Sequence, residues 1–447
     1  MKQKLAPMTL LIGLLSASLA AHAAAIPSYK EVKLGNGLRV QLMEDHSTPV
    51  VAVAVVYDVG SRVEKAGHTG FAHLFEHMMF QGSANVGKGE HLLLIQENGG
   101  GMNGTTSEDR TNYFEMLPAN QLDLALFLEA DRMRSLAITQ ANLDNQRNAV
   151  QEERRLRMDN QPYGKSSEEL QNLMYDNFAY KHSTMGSMAD LNAASVEDVR
   201  QFFKTYYAPN NAVIALVGDF DTAEALAKVE RYFGGIPQQP PPPSLDVTEP
   251  KQRAERRLTV TDDFAKLPMV LVGYKTTQSN TPAYFALDLF MSILCDGESS
   301  RLYRRLVEQD KLAVQVEGGM QQSRGTSMAE IKALSPQGVD TKKVEEAIYE
   351  EISKLAKDGP EDWEMEKVRN GERSQQVQTV STDLERAVTM AQDTIFYKDP
   401  MLMYTEVERY EAISKDDIRR AAQRYLTEHN RSVLITLPKA SPAPEAK

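Results

Sequence analysis

The sequence predicts an α+β chain made of two halves of similar layout joined by a proline-rich linker. Three observations predict it. At 447 residues the chain is longer than one hydrophobic core usually serves. With 42% hydrophobic and 25% charged residues its composition is that of globular protein, which sets aside disordered and collagen-like classes. Segments patterned as strands and helices are interrupted by "IPQQPPPPSLDVTEP", and a comparable order of segments resumes beyond it.

The first residues, "MKQKLAPMTLLIGLLSASLAAHAAA", combine Lys2 and Lys4, an apolar run and small residues in an A-x-A arrangement, the pattern of a secretory signal peptide over 1–24. Export is therefore expected, to the periplasm in a cell with two membranes. No later stretch approaches the length of a membrane span, so no stable membrane insertion is expected. Removing the leader leaves 48 basic against 62 acidic residues and a formal charge of −14, a surface that argues against nucleic acid. Cys295 is the only cysteine, so folding proceeds without an internal disulfide, and the thiol is expected to pack in a helix.

In the first half, Leu38, Val40 and Leu42 alternate after a Gly35-Asn36-Gly37 turn, and an apolar strand follows over 50–57. "GGGMNGTTSEDRTNYFEMLP" reads as a glycine turn and one alternating strand. Helical spacing at Leu122, Leu126 and Ala130 is followed by a second helical run over about 142–157, and "NNAVIALVGDF" closes the half as a strand. Residues 240–243, all proline, can be neither helix nor central strand. Beyond them come a strand in "PMVLVGYK", a helix in "PAYFALDLFMSIL", a long helical tail and a closing strand "RSVLITL". The expected division is 26–236, a linker over 237–250, a second half over 251–440 and a tail over 441–447.

Chemistry is concentrated in "GHTGFAHLFEHMMFQGS", residues 67–83. His73 and His77, four apart, share one helix face, and Glu76, three after His73, shares it too. A pair of satisfied core histidines is the plainer alternative. Against it, Ala72, Leu74, Phe75, Met78, Met79 and Phe80 wrap the triplet in apolar surface, where two imidazoles and a carboxylate need a partner such as Zn²⁺. A catalytic zinc needs three protein ligands and an open position for water. The run "NQRNAVQEERRLRMDN" offers Glu152 and Glu153. At 100° per residue Glu153 falls near the middle of the arc set by Leu143, Ala149, Val150 and Leu156, and Glu152 at its polar edge, so Glu153 is the expected ligand. Glu76 then fits the general base that takes a proton from water and returns it to the leaving amine.

These residues resemble the inverted-motif zinc peptidases, the family of pitrilysin, insulin-degrading enzyme and mitochondrial processing peptidase. The resemblance rests on H-x-x-E-H at His73, Glu76 and His77, with its flanking "GxxHxxEHMxFxGS", and on Glu153, which stands 76 positions after His77. It implies two homologous α/β-sandwich domains, each a mainly antiparallel sheet packed by helices, together forming half of a clamshell. It implies one Zn²⁺ per chain on His73, His77 and Glu153, in the first half only, since residues 284–294 of the second hold no histidine or glutamate. It also implies an edge strand carrying Asn103 and Gly104 that holds extended peptide by backbone pairing.

Short members of the family work as pairs, often one zinc subunit with one zinc-free subunit. Many use an Arg and a Tyr, seven apart in a zinc-free half, to hold substrate; at the aligned places this chain has Val307 and Val314. That departure implies a heterodimer with a zinc-free homologue carrying the pair, or else a homodimer. Gln146 stands where the family commonly has a further glutamate near the metal, and is expected to hydrogen-bond a ligand or the water, the plainer alternative being a helix-surface residue. His68 and His91 lack ligand spacing and are expected in loops or at the surface, and His46, His182 and His429 give no signal. The glutamate-rich run from residue 343 to 372 reads as solvated helix faces.

Overall fold

A computed structural model describes residues 26–439; the leader expected over 1–24 and the tail over 441–447 lie outside the described residues. Among the described residues, eleven strands form two sheets. Strands β1 (Lys30–Lys33), β2 (Arg39–Glu44), β3 (Val50–Tyr57), β4 (Gly101–Thr106), β5 (Thr111–Pro118) and β6 (Ala212–Gly218) run in the order β1-β2-β6-β3-β5-β4. Strands β7 (Arg256–Asp262), β8 (Met269–Lys275), β9 (Gln315–Gln321), β10 (Met328–Leu334) and β11 (Arg431–Pro438) run in the order β7-β11-β8-β10-β9. Each sheet is antiparallel except for one parallel pair, β2 with β6 and β7 with β11. The α+β architecture of two halves, each with its own sheet, expected from the sequence is therefore observed, and residues 237–255 between the sheets carry neither helix nor strand.

β3 and β6 are buried on both faces, and the two faces have different covers. Val51, Val53, Val55 and Tyr57 join the core beneath helix Phe71–Met78, while Ala52, Ala54, Val56, Val213, Ala215 and Val217 pack against Ala387, Met390, Ala391 and Ile395. Those four belong to helix Asp383–Tyr397, supplied by the second half. The small residues on this face let the helix approach closely. The exchange is reciprocal. Helix Ser166–Met174 and the segment to Tyr180, from the first half, cover Met269, Leu271, Met328 and Leu434 of the second sheet. Packing thus crosses the division that the linker suggests.

Several elements differ from the sequence reading. The single strand expected after the glycines is a hairpin, β4 and β5, paired from Gly101 opposite Met116 to Thr106 opposite Thr111. β4, "GMNGTT", has almost no apolar residue to announce it, because it is an edge strand with a single neighbour. β7 and β10 were hidden in segments with charged alternation, and β10 lies within what reads as helical tail. The glutamate-rich helices Thr341–Asp358 and Asp362–Thr379 are not simply solvated: Glu345, Glu351 and Glu364 are buried, meeting Arg257, Arg305 and Arg301. Cys295 is buried at the end of helix Pro282–Cys295, and burial pushes its thiol far up.

Candidate metal centre

Helix Phe71–Met78 starts at Gly70, whose φ of 84° is left-handed and whose Cβ, if it had one, would lie 2.8 Å from Met185 O and 2.9 Å from Gly186 Cα. The same loop reaches the helix that carries Glu153, where Arg154 Nη1 donates to Gly186 O (2.5 Å), and Ser187 N donates to Thr69 Oγ1 (3.0 Å). Buried Glu64 accepts the free N–H groups of Gly70 (2.9 Å) and Ala72 (2.8 Å), capping the helix, and stands 2.9 Å from His182 Nε2. The start of the histidine helix is therefore fixed by backbone contact and by a carboxylate.

Helix Gln140–Arg154 is capped by Thr139 and buries Leu143 and Val150, which turns Glu153 toward the histidines. A π-helical stretch, Arg155–Asp159, follows at once. Glu153 Oε2 lies 3.6 Å from His73 Nε2 and 3.2 Å from His77 Nε2. The two imidazoles are edge to face, with ring centroids 4.8 Å apart. Tetrahedral ligands about 2.1 Å from a zinc ion stand about 3.4 Å from one another, so these separations fit that ion. The donor set fits as well: two imidazole nitrogens and a carboxylate oxygen suit zinc, and burial, with His77 beside it, holds the His73 pKa down to about 4, which keeps its lone pair free at neutral pH.

Glu76 lies on the same helix face. Burial raises its pKa, and Thr106, whose Oγ1 donates to Glu76 Oε2 at 2.5 Å, partly offsets that effect. Glu153 keeps its second oxygen on the guanidinium of Arg157, 2.9 Å away, which is largely exposed. The structure thus brings His73, Glu76, His77 and Glu153 together. Glu152 points away to Arg155 (2.9 Å) on the exposed side.

Asn103 and Gly104 lie in β4, which packs on the histidine helix; Asn103 is exposed and its Oδ1 accepts the Gly104 amide (2.9 Å). Gly104 is buried where a Cβ would meet Tyr113 at 3.1 Å and Phe80 at 3.2 Å. Gln146 is buried on the ligand helix, but its amide donates to Asn145 Oδ1 (2.8 Å) and makes no hydrogen bond to His73, His77, Glu153 or Glu76. Val307 packs at the edge of the second core and Val314 is half exposed. His68 sits in an exposed turn, as expected.

His91 corrects the sequence reading. It is buried in helix Glu90–Glu97, with Nε2 2.9 Å from Glu115 Oε1 and with Glu129 close by. Three residues able to ligate a metal meet there, yet the positive charge is already supplied: the Arg132 guanidinium pairs with Glu129 and lies over the Tyr113 ring, 4.4 Å from its centroid. Burial raises Glu115, and raises Glu129 to about 8, so a proton and an arginine balance this cluster without a metal. Thr106 and Arg157 were missed. An arginine four after Glu153 was readable as a helical charge pair, whereas nothing in β4 announces Thr106.

Compared with protein families, residues 39–187 match "Insulinase (Peptidase family M16)" and residues 193–372 match "Peptidase M16 inactive domain". The chain is 28% identical over 440 residues to "Zinc protease PqqE" of Helicobacter pylori, spanning 98% of this chain and 99% of that protein. It is 26% identical over 278 residues to "Probable mitochondrial-processing peptidase subunit beta, mitochondrial" of Arabidopsis thaliana, spanning 61% of this chain and 51% of that one. Among solved structures, that of a protease from Helicobacter pylori superposes with a TM-score of 0.88 at 28% identity, covering 92% of this chain and 100% of that one.

Proposed function

The chain belongs to peptidase family M16, and from that premise we propose that it is a zinc-dependent endopeptidase acting on peptides or unfolded polypeptide segments. The observation that carries the proposal is the convergence of His73 Nε2 and His77 Nε2 on Glu153 Oε2, with Glu76 on the same face. His73, His77 and Glu153 would hold one Zn²⁺. The ion supplies Lewis acidity, lowering the pKa of a water and polarising the scissile carbonyl. Glu76 accepts the proton of the attacking water and passes it to the leaving nitrogen as the C–N bond breaks. β4 is the open edge of its sheet beside these residues, so a substrate in extended form can continue the sheet there, past Asn103 and Gly104.

A non-catalytic, peptide-binding subunit is the competing reading. It is favoured by Val307 and Val314 where substrate-holding residues are expected, and opposed by retention of all four site residues. The proposal includes export through the leader and a clamshell closed by a second subunit. Its test is hydrolysis of an unfolded polypeptide by the zinc-loaded chain, alone and with a zinc-free homologue. Cleavage at internal bonds that a chelator abolishes and zinc restores supports the enzyme; no cleavage in either setting supports the binding subunit.

A further inference from the structure

We propose that Thr106 is a positioning residue for catalysis: its hydroxyl fixes the Glu76 carboxylate so that one oxygen is held by the edge strand and the other is left to take the proton of water. The inference rests on the assignment of Glu76 as base and deepens it.

Thr106 is the last residue of β4 and pairs with Thr111 of β5. Its hydroxyl has a single proton and two candidate acceptors, Glu76 Oε2 at 2.5 Å and Thr111 Oγ1 at 3.5 Å. Thr111 Oγ1 donates its own proton to Val59 O (3.0 Å), which fixes that rotor. The Thr106 proton therefore goes to the nearer, charged acceptor. Glu76 Oε2 is then committed, the plane of the carboxylate is set, and Oε1 is the oxygen available for proton transfer. A carboxylate on a helix otherwise turns freely about its last bond, a torsion with broad wells. Since the strand that offers its edge to substrate also ends in this hydroxyl, peptide docking and alignment of the base share one hairpin.

Thr106→Val keeps the β-branched shape and removes the donor; Thr106→Ser keeps the donor. Thr106→Val is expected to lower kcat by about 10- to 100-fold with KM within about twofold. Its zinc content and melting temperature should match the parent. Thr106→Ser should recover most of the loss. In crystals of the zinc-loaded valine variant the Glu76 carboxylate should be rotated or divided between orientations. On a Glu76→Gln background, Thr106→Val should cost nothing further. An unchanged kcat in Thr106→Val, a loss that serine does not repair, or a full additional loss on the Glu76→Gln background would overturn the inference while leaving the peptidase intact. A Glu76→Gln chain as active as its parent would instead remove the base assignment, and Thr106 with it.

Discussion

Glu152 and Glu153 are neighbours in the chain, yet only Glu153 reaches both imidazoles, while Glu152 is spent on Arg155 at the surface. Glu153→Gln is expected to lose zinc and Glu152→Gln to keep it, as metal analysis of the purified variants will show. This choice was legible because a carboxylate in the middle of an apolar helical arc needs a buried positive partner. His91 was not legible: its partners Glu115 and Glu129 come from β5 and a distant helix, and no spacing within the chain links them. A different cluster makes stability depend on pH. Glu372 lines a cavity with Asp288, Glu406 and Tyr410, and its pKa is pushed up to about 7 by burial, then by Asp288 and Glu406. A carboxyl raised in the folded state contributes stability in full below its ordinary value, 4.5, and that contribution is lost as pH rises through 7. Melting temperature should therefore fall between pH 5 and pH 8, and Glu372→Gln should flatten that fall by raising the value at pH 8. Equal pH dependence in parent and variant would contradict this origin.

Helix Asp383–Tyr397, from the second half, covers one face of the first sheet. Met390 is fully buried against β3 and β6, so Met390→Ala should destabilise the protein by about 2–5 kcal/mol, measurable by denaturant unfolding. For the same reason a fragment of residues 26–236 should expose the face of Ala52, Ala54, Val56, Val213, Ala215 and Val217, bind hydrophobic dyes and aggregate. A soluble, cooperatively folded fragment would show the exchanged helix to be dispensable. The strands at 50–57 and 212–218 were readable because burial on both faces makes them continuous apolar runs. Which helix covers each face was not, since periodicity gives the width of an apolar stripe and says nothing of its partner. β4, where the candidate base is oriented, was the hardest element to see. An edge strand beside a site is built from glycine, asparagine and threonine for close approach and hydrogen bonding, at the expense of the apolar alternation that reveals strands.

For the whole molecule, each sheet is covered on one face by a helix from the other half. Such a chain, with Val307 and Val314 where an Arg and a Tyr would hold substrate, is expected to turn over peptide weakly alone and faster with a zinc-free homologue that supplies them. Mass in solution and turnover, measured with and without that homologue, check this: a fully active monomer indifferent to it would contradict paired action, and a stable, fully active homodimer would show that the chain supplies its own second wall. The claim on which everything else depends is that Glu76 moves the proton at a zinc held by its neighbours. Turnover of an unfolded polypeptide by zinc-loaded Glu76→Gln, with metal content assayed in the same sample, tests it most directly. A full complement of zinc and a rate lower by several orders of magnitude are expected; a rate near that of the parent protein, with zinc still bound, would remove Glu76 as the base.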